Sequence, residues 1–529
     1  MKVINKKEPV SIFNDVIGPV MSGPSSSHTA GPAHIGKTSR MLLGEDVKKA
    51  EFIFEEEGSY PATYIGQGSN KGFVGGLLGY LPKNNNIPFS LDIAQKKGIQ
   101  IIFRKKRMNS SHPNTAKLLL EGVNGNKIEI LSLSTGGGMF EIIEIDGFKV
   151  SIKGDFKELL VLTEKNEKLA ASINNLPQDK YRVTTSEKNN LILFQVSGRY
   201  KVPEEILNTI SACNDVVWSK NINEILPVKS DVTYKMPFFT AKDALIFAQK
   251  NNLSLTDLAI EYEKARSSMS GDEIISKMIE IIDIAELSAK KGIEGISKDS
   301  GFLAPKAHEM NEKLKSTKTA DMGIMNKAMI IATAIMEYNS VMGVVVAAPT
   351  AGSCGVLPAV VLALGEDINA DRKKMAEAML VGGLIGAFIS HQATFAAEVC
   401  ACQAEIGSAS CMAAAAAVTL LDGTTKQGFK AAGLAMQNML GLICDPIGGL
   451  VEIPCINRNS SGAANSLVSA NMVLCGFEPI IPLDEVIQSM WEVGNMLPRE
   501  LRCTSIGGLC ATATGIKIQK EQETKREVL

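Results

Sequence analysis

Aromatic side chains are scarce in this chain: they make up 5 % of its 529 residues, and only two are tryptophan. That scarcity removes the stacking platforms on which single strands of nucleic acid lie, and the aromatic belts that seat helices at a bilayer surface. Excess charge of either sign is missing too. With 55 Lys and Arg against 57 Asp and Glu, the net charge of −2 steers the chain toward no polyanion, and no nucleic-acid partner is expected. The opening residues MKVINKKEPVSIF hold no apolar run of signal-peptide length, so a cytoplasmic location is expected. No Cys-x-x-Cys pair occurs among the ten cysteines, and a chain this long is not a small disulfide-stapled scaffold. Histidine is rare, with five in all, which makes its settings informative.

What is present begins with length, enough for roughly three domains. Residues 1–152 mix short alternating runs such as KGIQIIFRKK and FKVSIKG with Gly-rich loops, the pattern of an α+β domain. Residues 153–232 read strand KELLVLTE, helix EKLAASINNL, strand YRVTTSE, strand LILFQVSGR, helix PEEILNTISAC, strand DVVWSKN. This βαββαβ order predicts a small ferredoxin-like domain. Residues 233–529 are expected to be all-α, with Ala- and Gly-rich helices at the centre and KEQETKREVL trailing on the surface. Tyr338–Gly365 and Ala378–Ala397 carry no charge, but Pro349, Pro358, His391 and Gln392 interrupt them, so buried helices are expected and no membrane partner.

Cysteine is concentrated in the last third of the chain. Cys402, Cys444 and Cys455 lie in CQAEIGS, ICDPIGG and EIPCINRN, the last two beside Pro and Gly that let a loop aim a sulfur inward. Three thiolates from separate loops can hold a four-iron cluster and leave one iron open as a Lewis acid. Spacing alone equally admits a zinc site using Cys400 or Cys411, or plain buried thiols. Cys411, Cys475 and Cys510 are expected to be small buried apolar residues.

Seven segments in order resemble the iron-sulfur-dependent L-serine dehydratases: GPSSSHTAGP (23–32), SHPNT (111–115), STGGG (134–138), AAPTAGSCGVLPAVV (347–361), CQAEIG (402–407), CDPIGGLVEIPC (444–455) and LPRELRCTSIGGLCATATG (497–515). The resemblance implies a 4Fe-4S cluster on Cys402, Cys444 and Cys455, with Cys354 not a ligand. It also implies an N-terminal domain akin to the allosteric substrate-binding fold of bacterial phosphoglycerate dehydrogenases, an ACT-like middle domain and a catalytic all-α domain. The chain departs from the family pattern at Val344 and Asn457, where arginine and glutamate are usual, and LTEKNEKLAAS lacks a Gly-rich effector loop.

On this resemblance L-serine becomes pyruvate and ammonia in a polar cavity between two domains. Donors for the substrate carboxylate are expected from Ser26, Ser27, Thr29, Asn114, Thr115 and Ser134, from Gly136, Gly137 and Gly138, and from Thr350, Ala351 and Gly352. His28 and His112 are the candidate bases for the Cα proton. Glu405 is expected to orient the ligand loop through a hydrogen bond. Lys306, His308 and Arg458 are weaker candidates. Rival readings are a related lyase acting on threonine or cysteine, a cluster-bearing amino-acid sensor without catalysis, and a pyridoxal phosphate enzyme, for which no lysine has a suitable setting. A homo-oligomer, a dimer, is expected.

Overall fold

A computed structural model describes residues 8–110, 112–297 and 301–527; Ser111 of the SHPNT motif lies outside the described residues. The chain is sheet-rich in its first part and helical in its last. The first sheet has six strands in the spatial order Gln100–Lys106, Val47–Glu55, Thr115–Gly122, Lys127–Gly136, Met139–Ile145, Phe148–Ile152. Only the first pair is parallel. Alternation along Lys127–Gly136 turns Ile128, Ile130, Ser132 and Ser134 inward, toward helix Gly31–Leu43. That helix holds His34, whose Nδ1 meets the Gly138 carbonyl oxygen at 2.9 Å.

The second sheet is antiparallel, in the order Val216–Ile222, Lys157–Glu164, Leu191–Gly198, Tyr181–Lys188. Helices Glu167–Asn174 and Glu204–Ala212 supply the two α elements of the expected order, and their Leu169, Ile173 and Ile210 close a separate core with Val161 and Phe194.

Ser408–Leu420 is the central helix of the last part. It touches Val356–Asp367, Arg372–Gln392, Thr425–Gln437 and Cys455–Leu474, and its run of five alanines explains why so many neighbours fit: small side chains let helix backbones approach closely at crystal-like density. Around it, capping boxes at Ser254/Asp257, Ser270/Glu273 and Thr424/Gln427 fix helix starts. Among the described residues one helical run, Ala397–Leu420, is long and apolar enough to cross a membrane. It is 89 % buried inside the protein, and its backbone breaks at Cys400 and Ala401.

Three expectations are corrected. The uncharged stretch 338–365 is not helical throughout. Ile12, Phe13, Val16 and Ile17 enter the helical core, and Val20–Ser22 pairs with Val344–Val346, a strand inside the stretch expected to be helical. The C-terminal helix Ala513–Glu527 does not merely trail: Gln522 is buried, donates to the Gly301 carbonyl at 3.3 Å, and its helix packs on the turn Ile447–Gly449. Cys475 is exposed, at the C-terminal end of its helix; Cys411 and Cys510 are buried.

Candidate active site

The Ser-rich loop folds as one π-helical turn, Ser26–Ala30, in which the Ser25 hydroxyl accepts the His28 N–H at 3.2 Å. Helix Gly31–Leu43 continues from it with Pro32 in the first turn, where a missing N–H costs nothing. The turn is wedged between the two halves of the molecule. Ala351 N–H donates to Ser26 Oγ at 3.3 Å, and the buried Asn339 amide donates both to the Pro24 carbonyl at 2.9 Å and to the Ala351 carbonyl at 3.2 Å.

His28 is sealed from solvent. Its Nδ1 lies 2.9 Å from Ser27 Oγ and 3.3 Å from Glu398 Oε1, its Nε2 lies 3.1 Å from Ser59 Oγ, and Tyr60 meets the ring edge-on. Burial pushes the imidazole below its ordinary range, against the pull of Glu398. Glu398 is held below the usual carboxylate range: burial pushes it up, but His28 and the side-chain hydrogen bonds of Ser27 and Asn114 outweigh that. A neutral imidazole beside a carboxylate follows. The carboxylate favours the proton on Nδ1, which leaves Nε2 to accept from Ser59.

His112 is used differently. Asn114 N–H donates to its Nδ1 at 3.1 Å, so the neutral ring carries its proton on Nε2. It lines a cavity of about 400 Å³ with Ser59, Glu398, Arg107, Arg499 and Arg502. Burial lowers its pKa as well, opposed by Glu398.

Several expected substrate donors are engaged with the scaffold. Thr29 Oγ1 donates to the Gln67 carbonyl at 2.7 Å, Ser134 Oγ to the Ser27 carbonyl at 2.7 Å, and Thr115 Oγ1 to the His112 carbonyl at 2.7 Å. These hydroxyls hold the loop and the His112 turn in place. Gly136, Gly137 and Gly138 take φ of 99°, 61° and 86°, backbone that only glycine adopts without strain. Gly136 opens on a different cavity, of about 460 Å³, beside Asp15, Arg266 and Phe395, and not on the one His112 lines. Lys306 and His308 lie elsewhere, on the surface: Lys306 pairs with Glu309 at 2.6 Å, and His308 Nδ1 meets the Ile293 carbonyl at 2.8 Å.

Cys402 and Cys444 meet, and Cys455 is an electrostatic neighbour of Cys402. Cys402 follows the backbone break at Cys400 and Ala401, where Ala401 takes φ 60°; Cys455 opens helix Cys455–Leu474, whose N-terminal dipole favours a thiolate. Cys444 forms a short backbone bridge to Arg502. Sulfurs of Cys402 and Cys444 and a carboxylate oxygen of Glu405 all lie within 4.8 Å of one another. Glu405 therefore stands beside the sulfurs. Burial raises it to about 7, while Thr350 hydrogen-bonds it; Gly352 beside it has no room for a large side chain. Cys444 is pushed far up by its contacts with Cys402 and Cys503, and Cys455 by burial and by Cys402. Thiols crowded this way resist ionising until a cation takes the place of their protons. Arg458 supplies positive charge at the rim: Nη1 donates to the Ile443 carbonyl at 2.9 Å and to Cys402 Sγ at 3.7 Å, and pairs with Asp445. Buried, all-sulfur but for one carboxylate, and flanked by a guanidinium, this donor set fits a metal cofactor.

Glu398, Ser59, Asn339 and Cys503 also stand at the site and are missed by sequence reasoning. Cys503 lies inside a recognised motif, and its proximity to Cys444 was its only missing signal. Glu398, in FAAEV, and Ser59, in EGSYPAT, stand in stretches with no pattern to mark them.

The Serine dehydratase alpha chain family matches residues 250–510. The L-serine dehydratase alpha chain of Peptoniphilus asaccharolyticus is 40 % identical over 283 residues, 53 % of this chain and 97 % of its own length. The probable L-serine dehydratase alpha chain of Bacillus subtilis is 36 % identical over 284 residues, 54 % of this chain and 95 % of its own. Similarity to L-serine dehydratase 2 of Escherichia coli runs through both halves, 29 % over 515 residues, covering 94 % of this chain and 98 % of that one.

Proposed function

Since the chain belongs to the L-serine dehydratase family, in single-chain form, and is a lyase that converts serine, we propose that it releases pyruvate and ammonia at the cavity between Ser59, His112 and Arg502, with a 4Fe-4S cluster on Cys402, Cys444 and Cys455. The observation that carries this reading is the meeting of Cys402 and Cys444, 42 residues apart in sequence, with Glu405, and with Cys455 as an electrostatic neighbour of Cys402. When bound, the cluster supplies Lewis acidity at the substrate β-hydroxyl.

The chain's own residues supply the rest. Arg502, Arg499 and Arg107 line the cavity and anchor the substrate carboxylate, a pairing that guanidinium geometry favours. His112 offers Nε2–H as a donor to the substrate. Ser59 lines the cavity and its Oγ hydrogen-bonds His28 Nε2, so in this reading a proton leaving Cα passes to Ser59 as Ser59 gives its own to His28. Glu398 then stabilises the imidazolium at Nδ1, the logic of a hydroxyl–imidazole–carboxylate relay. Loss of the β-hydroxyl leaves aminoacrylate, which tautomerises to the imine and hydrolyses. In this reading residues 1–152 form the substrate-binding-like domain, 153–232 an ACT-like domain serving assembly, and 233–529 the catalytic domain, in a cytoplasmic homodimer.

Oxygen-free purification followed by iron, sulfide and pyruvate assays tests the reading. Coloured, iron-bearing protein that forms pyruvate from serine in preference to threonine and cysteine is expected. Colourless, iron-free protein turning over serine at full rate would overturn it.

A further inference from the structure

Three glutamates stand in a row, Glu55, Glu56 and Glu57, ahead of Gly58 and Ser59. Such side chains are ordinarily solvated and are seldom buried unless paired. Glu56 and Glu57 keep to that rule, and Glu57 pairs at the surface with Arg107 at 3.6 Å. Glu55 breaks it, with 5 % of its surface exposed. Alternation along strand Val47–Glu55 turns Phe52 and Phe54 into the core, so Glu55 leaves the strand on the opposite face, against the loop that carries His112. There its Oε2 accepts the Ser110 N–H at 2.8 Å and the Met108 N–H at 3.1 Å. Its Oε1 keeps only a long contact, 3.4 Å, to the same Met108 N–H.

Glu55 lines the cavity that Ser59, His112, Arg499 and Arg502 share. Its surroundings are tied to the same residues. Gly58 N–H donates to the Glu55 carbonyl at 3.0 Å, Ser59 N–H to the Pro113 carbonyl at 3.0 Å, and His112 N–H to Ser110 Oγ at 3.3 Å. Glu57 and Glu398 are the other carboxylates on this cavity, and each is accounted for: Glu398 is engaged by His28 and Ser27, and Glu57 is largely exposed. Glu55 is buried without a cation. It accepts only backbone N–H groups, and among the described residues no Lys, Arg or His reaches ion-pair distance of it. A buried carboxylate on a cavity wall, with one oxygen nearly free, suits a cationic group of a ligand, because either charge buried alone is costly.

L-Serine brings such a group. Its carboxylate has Arg107, Arg499 and Arg502 in this cavity, while its α-ammonium needs an acceptor of opposite charge. We propose that Glu55 is the binding residue for the substrate α-ammonium, with Oε1 as the acceptor. The proposal rests on the reading of this cavity as the substrate site. Gripped at two separate points by opposite charges, the substrate keeps one axis of rotation, so the cavity orients Cα as well as binding it.

Steady-state pyruvate formation by the full-length holoprotein, prepared without oxygen, tests this with 3-hydroxypropionate as competitive inhibitor. That compound is serine without its ammonium. Glu55→Gln is expected to raise KM for serine by about tenfold to hundredfold, the worth of a hydrogen bond to a charged group, and to leave Ki for 3-hydroxypropionate within a factor of about two. Glu55→Asp keeps the charge on a shorter arm and is expected to raise KM less, again with Ki unchanged; it serves alone should the glutamine variant fold poorly. KM and Ki rising in parallel would overturn the ammonium role and leave Glu55 as a support of the His112 loop. Neither constant moving would overturn it as well. Arg502→Gln separates this from the cavity reading, since it is expected to raise both constants. Were both unchanged in that variant, the cavity itself would fall as the substrate site.

Discussion

Glu398 Oε1 lies 3.3 Å from His28 Nδ1, and both side chains are closed to solvent. The two residues come from opposite ends of the fold: the Ser27 hydroxyl that also donates to Glu398, at 2.8 Å, is 371 residues away in sequence. Neither half alone assembles this pair. It exists only when the Ser-rich turn is docked on the helical part, so the chemistry is coupled to the docking.

Glu398→Gln keeps the shape and removes the charge. Burial already holds His28 low and Glu398 opposes that, so losing the carboxylate drives the imidazole lower still and weakens it as a proton acceptor. A fall in kcat of about 10²–10⁴, the usual worth of general base catalysis, is expected, with the acid limb of the pH profile moved to lower pH. A profile and rate matching wild type would remove Glu398 from the mechanism.

Cys455→Ser is expected to remove colour, iron and turnover together, because it takes away the proposed ligand at the start of helix Cys455–Leu474. Cys475→Ser is the companion measurement. That thiol is exposed at the other end of the same helix and its loss is expected to change none of the three. Visible absorption on oxygen-free protein separates the two variants.

Asn339→Ala is expected to destabilise the protein by about 1–3 kcal/mol, since it takes the Asn339 donor from the buried Pro24 carbonyl and leaves the Ala351 carbonyl with the Cys354 N–H alone. The change is read as a shift in urea midpoint. Turnover at low denaturant should fall as well, because the same amide ties the Ser-rich turn to the helical part.

Glu158 gives a stability effect away from the site. Burial raises its carboxyl from 4.5 to about 8, although Ser197 and Gln195 donate to it, with Asp155 and Arg182 the nearby charges. Between those values the folded chain binds the proton and the unfolded chain does not, so stability falls as pH rises through the window, at about 1.4 kcal/mol per unit at most. Glu158→Gln should flatten that slope and leave the variant the more stable of the two near the top of the window. Urea midpoints across the range decide it; parallel slopes in wild type and variant count against the assignment.

Local pattern made much of the fold legible. The run KELLVLTE is the strand Lys157–Glu164 and YRVTTSE falls in Tyr181–Lys188, because two-residue alternation and Gly or Pro punctuation act within a few residues. Alanine runs without a polar face likewise announced a buried helix at Ser408–Leu420. Cys475 was misread for the same local reason: apolar neighbours suggest burial, but whether a helix end is covered depends on elements far away in the chain.

The sequence by itself determined the elements, the helical core and the three cysteines in their motifs, since each is written in neighbouring residues and in segments that keep a family's order. Tertiary structure alone decided that Glu398 and Ser59 flank His28, that Cys503 joins the other sulfurs, and that Ile12, Phe13, Val16 and Ile17 enter the helical core. Those relationships are contacts between distant segments, and a contact made by closing a long loop leaves no periodicity in the chain that forms it.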